Sequence, residues 1–426
     1  MNINFTSLPF IEKFFVYGGI FIASIFIIIL SSLTQYQRSY KKLGILFFYI
    51  SIIFLFFSDI FLFFYTKYKF ETVAGITVNR VYLFLLVSVI CCYLFLFNEC
   101  EKIEDCILGL IIIIALQIIF INPTFIIFYI GFIIFETAFS YLYCEIKPQK
   151  YFYIFMSLIF TAVFLLADKT KIQAIGINGG IIFLILSTFA TGRTINTIAI
   201  AERENGKDKN IIFLALTITL AVFLKLIEFF NLWTAVIYPV FILSFILLLL
   251  SVYNLLTEEN IKSFFISDFI NILFLSLLCF SVINVNSVDI FLIITILLFI
   301  SILFDSFFSN SKGQYTVSYI KYNFNKIKSA GELFLGIILT FFVEIYLIYK
   351  IINNFVYFNP YVQTIFLIGG FIYSINILNK IFIILSMSLR ISIDNLKYIL
   401  FNKMIIRPVI FVIFVISLFS WWLKNG

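Results

Sequence analysis

Asn122–Cys144 reads NPTFIIFYIGFIIFETAFSYLYC. Phe125 to Phe135 is apolar apart from Tyr129, and the run opens at Pro123, a favoured first helical position. In its middle stands one carboxylate, Glu136, flanked by Ile133, Ile134, Phe135, Ala138 and Phe139. That much apolar length predicts a membrane-spanning helix. An acid at mid-depth costs about 2.5–3.5 kcal/mol to insert, so Glu136 is expected to face other helices and to be paired.

The rest of the chain is equally apolar. Of 426 residues 63% are hydrophobic, and the mean hydropathy is +1.13. Soluble domains are only about half apolar, so a soluble fold is excluded. The 59 Phe residues, with abundant Ile, Tyr, Asn and Lys, fit an A/T-biased genome, mitochondrial or from a low-GC bacterium. The start, MNINFTSLPFIEKFF, lacks the basic region and small-residue cleavage site of a signal peptide, so the first apolar run is expected to stay. Histidine is absent, which removes the commonest metal ligand and the side chain that titrates nearest neutrality. The six cysteines form no CxxC pair, and the glycines of AIGINGG (174–180) do not have nucleotide-loop spacing. Chemistry in this chain is left to Asp, Glu, Lys, Arg and Tyr.

Apolar runs divided by short polar breaks predict an all-α polytopic membrane protein of about fourteen spans, near 9–31, 43–65, 79–97, 105–121, 124–143, 151–167, 174–200, 210–230, 234–256, 263–284, 289–308, 332–354, 363–388 and 405–423. No connector is long enough to fold alone, so 1–426 is read as one membrane domain. The longest, Ser309–Gly331, carries Lys312, Lys321, Lys326 and Lys328 and reads as an amphipathic surface segment or a solvated basic loop. Of the 29 Lys and Arg residues, eighteen lie in loops after odd-numbered spans, eight lie on the other side, and three lie inside spans. The positive-inside rule then places both termini on the outer, intermembrane or periplasmic side. These loops account for the net charge of +7 without a nucleic-acid partner.

The three basic residues inside spans are Arg193, Lys225 and Lys380. Arg193 follows Gly192 in span seven; its alternative is to snorkel to the headgroups. Lys225 lies in span eight, where Glu228 one turn on offers a local pair. Lys380, towards the inner end of span thirteen, reads as a snorkelling anchor. Glu344, in LGIILTFFVEIYLIYK of span twelve, sits between the uncharged runs Leu333–Val343 and Ile345–Tyr349, which argues against solvation. Asp59, Asp268 and Asp305 lie near span ends and rank below these. Desolvation disfavours the charged form of an acid or a lysine, and an opposite charge nearby reverses that. A row of such groups across a membrane is suited to moving protons.

In their order and spacing these residues resemble the antiporter-like membrane subunits of proton-pumping NADH:quinone oxidoreductase (respiratory complex I), a family shared with multisubunit Na+/H+ antiporters and membrane hydrogenases. Gly75–Leu86 (GITVNRVYLFLL) is similar to the family's start of span three, with Asn79 where Asp is usual. Glu136 falls at the family's essential glutamate, and Lys150–Ala167 resembles its span six. Arg193 falls where span seven carries a lysine, and Lys225 follows near the spacing of the span-eight lysine. Leu250–Leu278 resembles the stretch DIKRLLAYSSISHLG, with Asn260, Ile261 and Lys262 at its start. Asp268 and Asn271 lie near a family histidine. Glu344 occupies the span-twelve position, which is glutamate in chain 4 and lysine in chains 2 and 5.

The resemblance implies an antiporter-like fold with two inverted five-helix repeats, spans four to eight (105–230) and nine to thirteen (234–388), between spans one to three (1–104) and span fourteen (405–423). It implies a proton path through Glu136, Arg193, Lys225 and Glu344, with Asp268, Lys262, Asp305 and Lys380 as secondary candidates. Arginine stays protonated, so Arg193 would bias Glu136 rather than carry a proton. Arg193 and Glu344 would sit on broken helices, although spans seven and twelve lack the usual prolines. Other complex I membrane-arm subunits and membrane lipids would be the partners. This chain would hold no cofactor, with NADH, flavin, iron–sulfur clusters and quinone bound by partner subunits. The membrane would be an energy-coupling one, the mitochondrial inner membrane ahead of a bacterial plasma membrane. The competing expectations are a subunit of a related antiporter or hydrogenase, a structural subunit without a proton path, and a lipid-linked oligosaccharide flippase or polymerase, the last of which would show one large outer loop. A flippase would line its lumen with several basic residues, whereas only Arg193 and Lys225 are candidates.

Overall fold

The computed structural model describes residues 22–31, 37–65, 70–73, 76–79, 85–90, 103–121, 234–257, 260–283, 287–310 and 329–389, together with positions 130, 131, 134, 135, 138, 217, 218, 220, 221, 316 and 327. Glu136, Arg193 and Lys225 lie outside these residues. So do span fourteen and most of spans five to eight, and with them the count of fourteen and the inverted repeats. The chain divides into two compact units, one of Met1–Ile154 with Ile410–Gly426 and the other of Phe155–Val409.

In the first unit, α1 (Gln37–Tyr65) packs on α2 (Ile103–Ile121). Between them in sequence lies an antiparallel hairpin of β1 (Phe70–Val73) and β2 (Ile76–Asn79), with Phe70 opposite Asn79 and Val73 opposite Ile76. Apart from this short hairpin the named elements among the described residues are helical, consistent with the expected all-α membrane protein. FETV and ITVN are rich in β-branched residues, which favour a pleated ribbon. Asn79 accordingly ends a strand rather than opening span three.

The second unit contributes α3 (Thr234–Thr257), α4 (Ile261–Val282), α5 (Ser287–Asn310), α6 (Ala330–Asn354) and α7 (Pro360–Ser388). Local chemistry sets their starts. The Asn260 side chain accepts from the Lys262 amide at 2.9 Å and caps α4. Asn359 accepts from the Tyr361 amide at 3.1 Å, and Pro360 takes the first turn of α7. The basic segment after span eleven is shorter than its apolar boundaries suggested, because α5 runs on to Asn310 and α6 begins at Ala330. Within that segment Thr316 forms a bridge to Asn260. α6 is continuous to Asn354, which corrects the expected break and fits the absence of proline there.

Among the described residues, Ile261–Phe280, Ala330–Tyr357 and Pro360–Ser388 are long and apolar enough to cross a membrane. α4 is buried from Ser263 to Phe280, packed by α3 and α6. α7 buries a narrow stripe of Val362, Phe366, Gly369, Tyr373, Asn376, Lys380, Ile383 and Met387. Its steps alternate between four and three residues, the seam spacing of packed helices. The opposite face shows Leu367, Phe371, Leu378 and Phe382 outward, as a lipid-facing surface requires. Glycines bring neighbours close. A Cβ on Gly336 of α6 would lie 2.3 Å from the Phe304 ring of α5, and one on Gly369 of α7 would lie 2.5 Å from the Phe245 ring of α3. Phe304 cannot yield easily, being itself fully buried with its ring 4.8 Å from that of Phe265. Gly336→Ala is therefore expected to destabilise the protein by about 1–3 kcal/mol through overpacking, read as a lower midpoint in thermal unfolding in detergent; an unchanged midpoint would refute this close approach.

Candidate functional site

α4, α6 and α7 each bring one buried charged residue to a common point; α6 carries a second buried acid, Glu332, near its start. Asp268 and Glu344 are 0% exposed and Lys380 is 1% exposed. The Lys380 Nζ lies 2.5 Å from Asp268 Oδ1 and 2.8 Å from Glu344 Oε2. One ammonium thus bridges two carboxylates from two different helices. The other Glu344 oxygen, Oε1, accepts a hydrogen bond from the Tyr373 hydroxyl. Tyr373, Asn376 and Lys380 follow one another at three- and four-residue steps on α7, so all three project from the same stripe. The Asn376 amide is buried beside the Tyr373 hydroxyl. The Thr340 hydroxyl, one turn before Glu344 on α6, adjoins Asp268 and donates to the Ile337 carbonyl at 2.8 Å.

The surroundings are apolar or weakly polar. Ser251 of α3 meets Asn271 of α4, one turn beyond Asp268. Glu344 stands about 21 Å along α6 from Ala330, in the middle of the helix. Charges taken this far from water need both a partner and hydrogen bonds to be tolerated. Here the three ionisable groups supply most of each other's partners, and two acids with one base leave one negative charge over when all are ionised.

This arrangement revises the reading of Lys380. It does not snorkel to the headgroups: its Nζ is held inside the bundle because Asp268 and Glu344 meet it from α4 and α6. Glu344 is as solvent-free as its flanking runs predicted, and Asp268, ranked lower, is its close companion. Lys262 stays apart, at the half-exposed start of α4, six residues before Asp268. Asp305 is buried on α5, one turn after Ser301, whose hydroxyl meets that of Thr217 at 2.8 Å. Tyr373, Asn376 and Thr340 escaped the sequence analysis, although the polar positions 373, 376 and 380 already share a helical stripe. So did a second cluster nearer the helix ends. There the Tyr346 hydroxyl and the Lys350 ammonium of α6 donate to Asp289 of α5 at 2.6 and 2.9 Å. With Lys350 28% and Asp289 13% exposed, that cluster fits a structural tie between antiparallel helices. Among the described residues no group of three or more His, Cys, Asp or Glu could hold a metal ion.

No protein-family model and no curated protein sequence matches the chain. Solved structures do. A chain of the membrane-bound sulfane sulfur reductase, an archaeal respiratory membrane complex, superposes with a TM-score of 0.62 at 12% identity, covering 97% of this chain and 95% of that one. A chain of respiratory complex I from Thermus thermophilus with bound aureothin superposes with a TM-score of 0.50 at 10% identity, covering 89% of this chain and 97% of that one. The fold is shared with two respiratory membrane complexes. That is consistent with the antiporter-like subunit the sequence resembles, and the shared fold spans nearly the full length of the chain.

Lys380→Met would leave two buried carboxylates without their shared cation, at a cost of about 3–5 kcal/mol. Lower protein yield and a reduced thermal midpoint are expected, with partial recovery when Asp268→Asn and Glu344→Gln are added. A Lys380→Met variant as stable as the parent would show that the three groups do not depend on one another.

Proposed function

We propose that this chain is a proton-carrying, antiporter-like subunit in the membrane arm of a respiratory complex, and that Glu344 with its companions is the second half of its proton path. The observation that carries this reading is the Asp268–Lys380–Glu344 cluster, an ionisable group set at mid-helix depth where a purely structural bundle would place apolar residues. Buried charges of this kind in membrane helices mark ion or proton routes far more often than they serve as glue. The shared fold with respiratory complexes supports the setting.

In this reading Glu136, Arg193 and Lys225 form the first half of the path, with the Glu136–Arg193 pair sensing the neighbouring subunit. Protons reach Lys225 from the side of the basic loops, pass to the Glu344 cluster and leave on the far side. The chain is of the chain 4 or chain 2 type of NADH:ubiquinone oxidoreductase, in a mitochondrial inner membrane. Electron carriers (NADH, flavin, iron–sulfur clusters and quinone) belong to partner subunits. A second reading, membership of a sibling complex with another electron donor, is favoured by the higher TM-score of the sulfane sulfur reductase chain.

Two measurements test this. Affinity purification of the chain from its native membrane is expected to bring NADH:quinone reductase activity with it; sulfur reductase activity instead would select the sibling complex, and no redox activity would end the reading. In the assembled complex Glu344→Gln is expected to lower the number of protons moved per electron pair while leaving electron transfer on. An unchanged proton stoichiometry would assign the cluster a structural role.

A further inference from the structure

We propose that Asp268, rather than Glu344, is the acid of this cluster that takes up and releases the proton, while Glu344 remains the ionised partner of Lys380. The inference rests on the proton-carrying reading above and deepens it by assigning the proton to one oxygen. Its basis is the hydrogen-bonding capacity of each carboxylate. Both Glu344 oxygens are engaged as acceptors, Oε1 by the Tyr373 hydroxyl and Oε2 by the Lys380 ammonium. Hydrogen-bond donors on both oxygens favour the ionised form of a carboxyl group. Asp268 differs. Its Oδ1 faces Lys380, whereas its Oδ2 has no hydrogen-bond partner among the described residues although the residue is fully buried.

Thr340 is the neighbour on that side, and its hydroxyl also reaches the Ile337 carbonyl at 2.8 Å. The charge count agrees. Glu344 as carboxylate, Lys380 as ammonium and Asp268 as neutral acid sum to zero, the state a dry interior favours. Release of the Asp268 proton breaks its O–H bond, leaves the electron pair on the carboxylate and makes the cluster singly negative. Lys380, already within ion-pair distance of both acids, holds that state until the next proton restores neutrality. Of the other walls, α3 contributes Ser251 at Asn271, while α5 packs Phe304 and Phe308 on Phe265 and carries the buried acid Asp305 beside them. Among the described residues, the titratable groups of the cluster are Asp268, Glu344, Lys380 and Tyr373.

Infrared difference spectroscopy of the intact complex tests the assignment, using aspartate or glutamate labelled with 13C at the side-chain carboxyl. The expected result is a carboxylic-acid C=O band that shifts with labelled aspartate, moves down in heavy water, disappears in Asp268→Asn and persists in Tyr373→Phe. Should Asp268→Asn fail to assemble, Asp268→Glu serves in its place, and the band is then expected to follow labelled glutamate. A band that follows labelled glutamate in the parent and responds to Tyr373→Phe, or no carboxylic-acid band sensitive to position 268, overturns the proposal. Proton pumping driven by the complex's own electron donor is recorded on the same preparations. Loss of pumping in both Asp268→Asn and Glu344→Gln with the band on glutamate overturns the assignment and leaves the proton-carrying reading intact. Unchanged pumping in both, with the band on Asp268, upholds the assignment and overturns that reading.

Discussion

One ammonium held between two carboxylates, all three away from solvent, is the constraint the described part of the second unit is built around. In water such contacts contribute little, because each ion is already well solvated. In an apolar bundle within a membrane the alternative to pairing is an isolated charge, which costs several kcal/mol or more. Asp268, Lys380 and Glu344 therefore cannot drift apart independently. Their helices are fixed relative to one another at that point, and a change in the protonation of one acid alters the force on the other two.

The packing around the cluster follows from the same need. α7 presents a seam only one residue wide, and its polar members Tyr373, Asn376 and Lys380 fall within it rather than on the lipid side. α4 is surrounded on all sides, so its Ser, Asn and Asp side chains must find partners inside the bundle, as Asn271 does with Ser251. Gly336 and Gly369 let aromatic rings of α5 and α3 come against α6 and α7, which closes the apolar shell on either side. Membrane helices associate through such small-residue contacts and interhelical hydrogen bonds because lipid offers no hydrophobic drive of its own. A dry shell with a few polar atoms at its centre is the environment in which a shared proton has large energetic consequences.

Lys380 shows how a correct sequence observation led to the wrong environment. Its distance from the end of span thirteen was legible, and a lysine at that depth has a stem long enough to reach the headgroups. Which way it turns depends on which neighbours meet its face of the helix, and those come from residues 112 and 36 positions earlier in the chain. The hairpin of Phe70–Val73 and Ile76–Asn79 was hidden for a different reason: its strands are four residues long, below the length at which an apolar-run search registers anything. Glu344 was the opposite case. The uncharged runs on both sides of it left no route to water, so its burial followed from the linear order alone.

By itself the sequence determined that this is a helical membrane chain and, to within a few residues, where α3 to α7 begin and end. Long apolar runs, the Asn260 and Asn359 caps and Pro360 act locally and need no knowledge of neighbours. It also determined that an acid would lie unsolvated in the middle of α6. Only the tertiary structure decided that Asp268 and Lys380 are that acid's partners and that Tyr373 donates to it. Ion pairing and hydrogen bonding act over a few ångströms of space, and the distance in sequence between helices says nothing about which of their faces will meet.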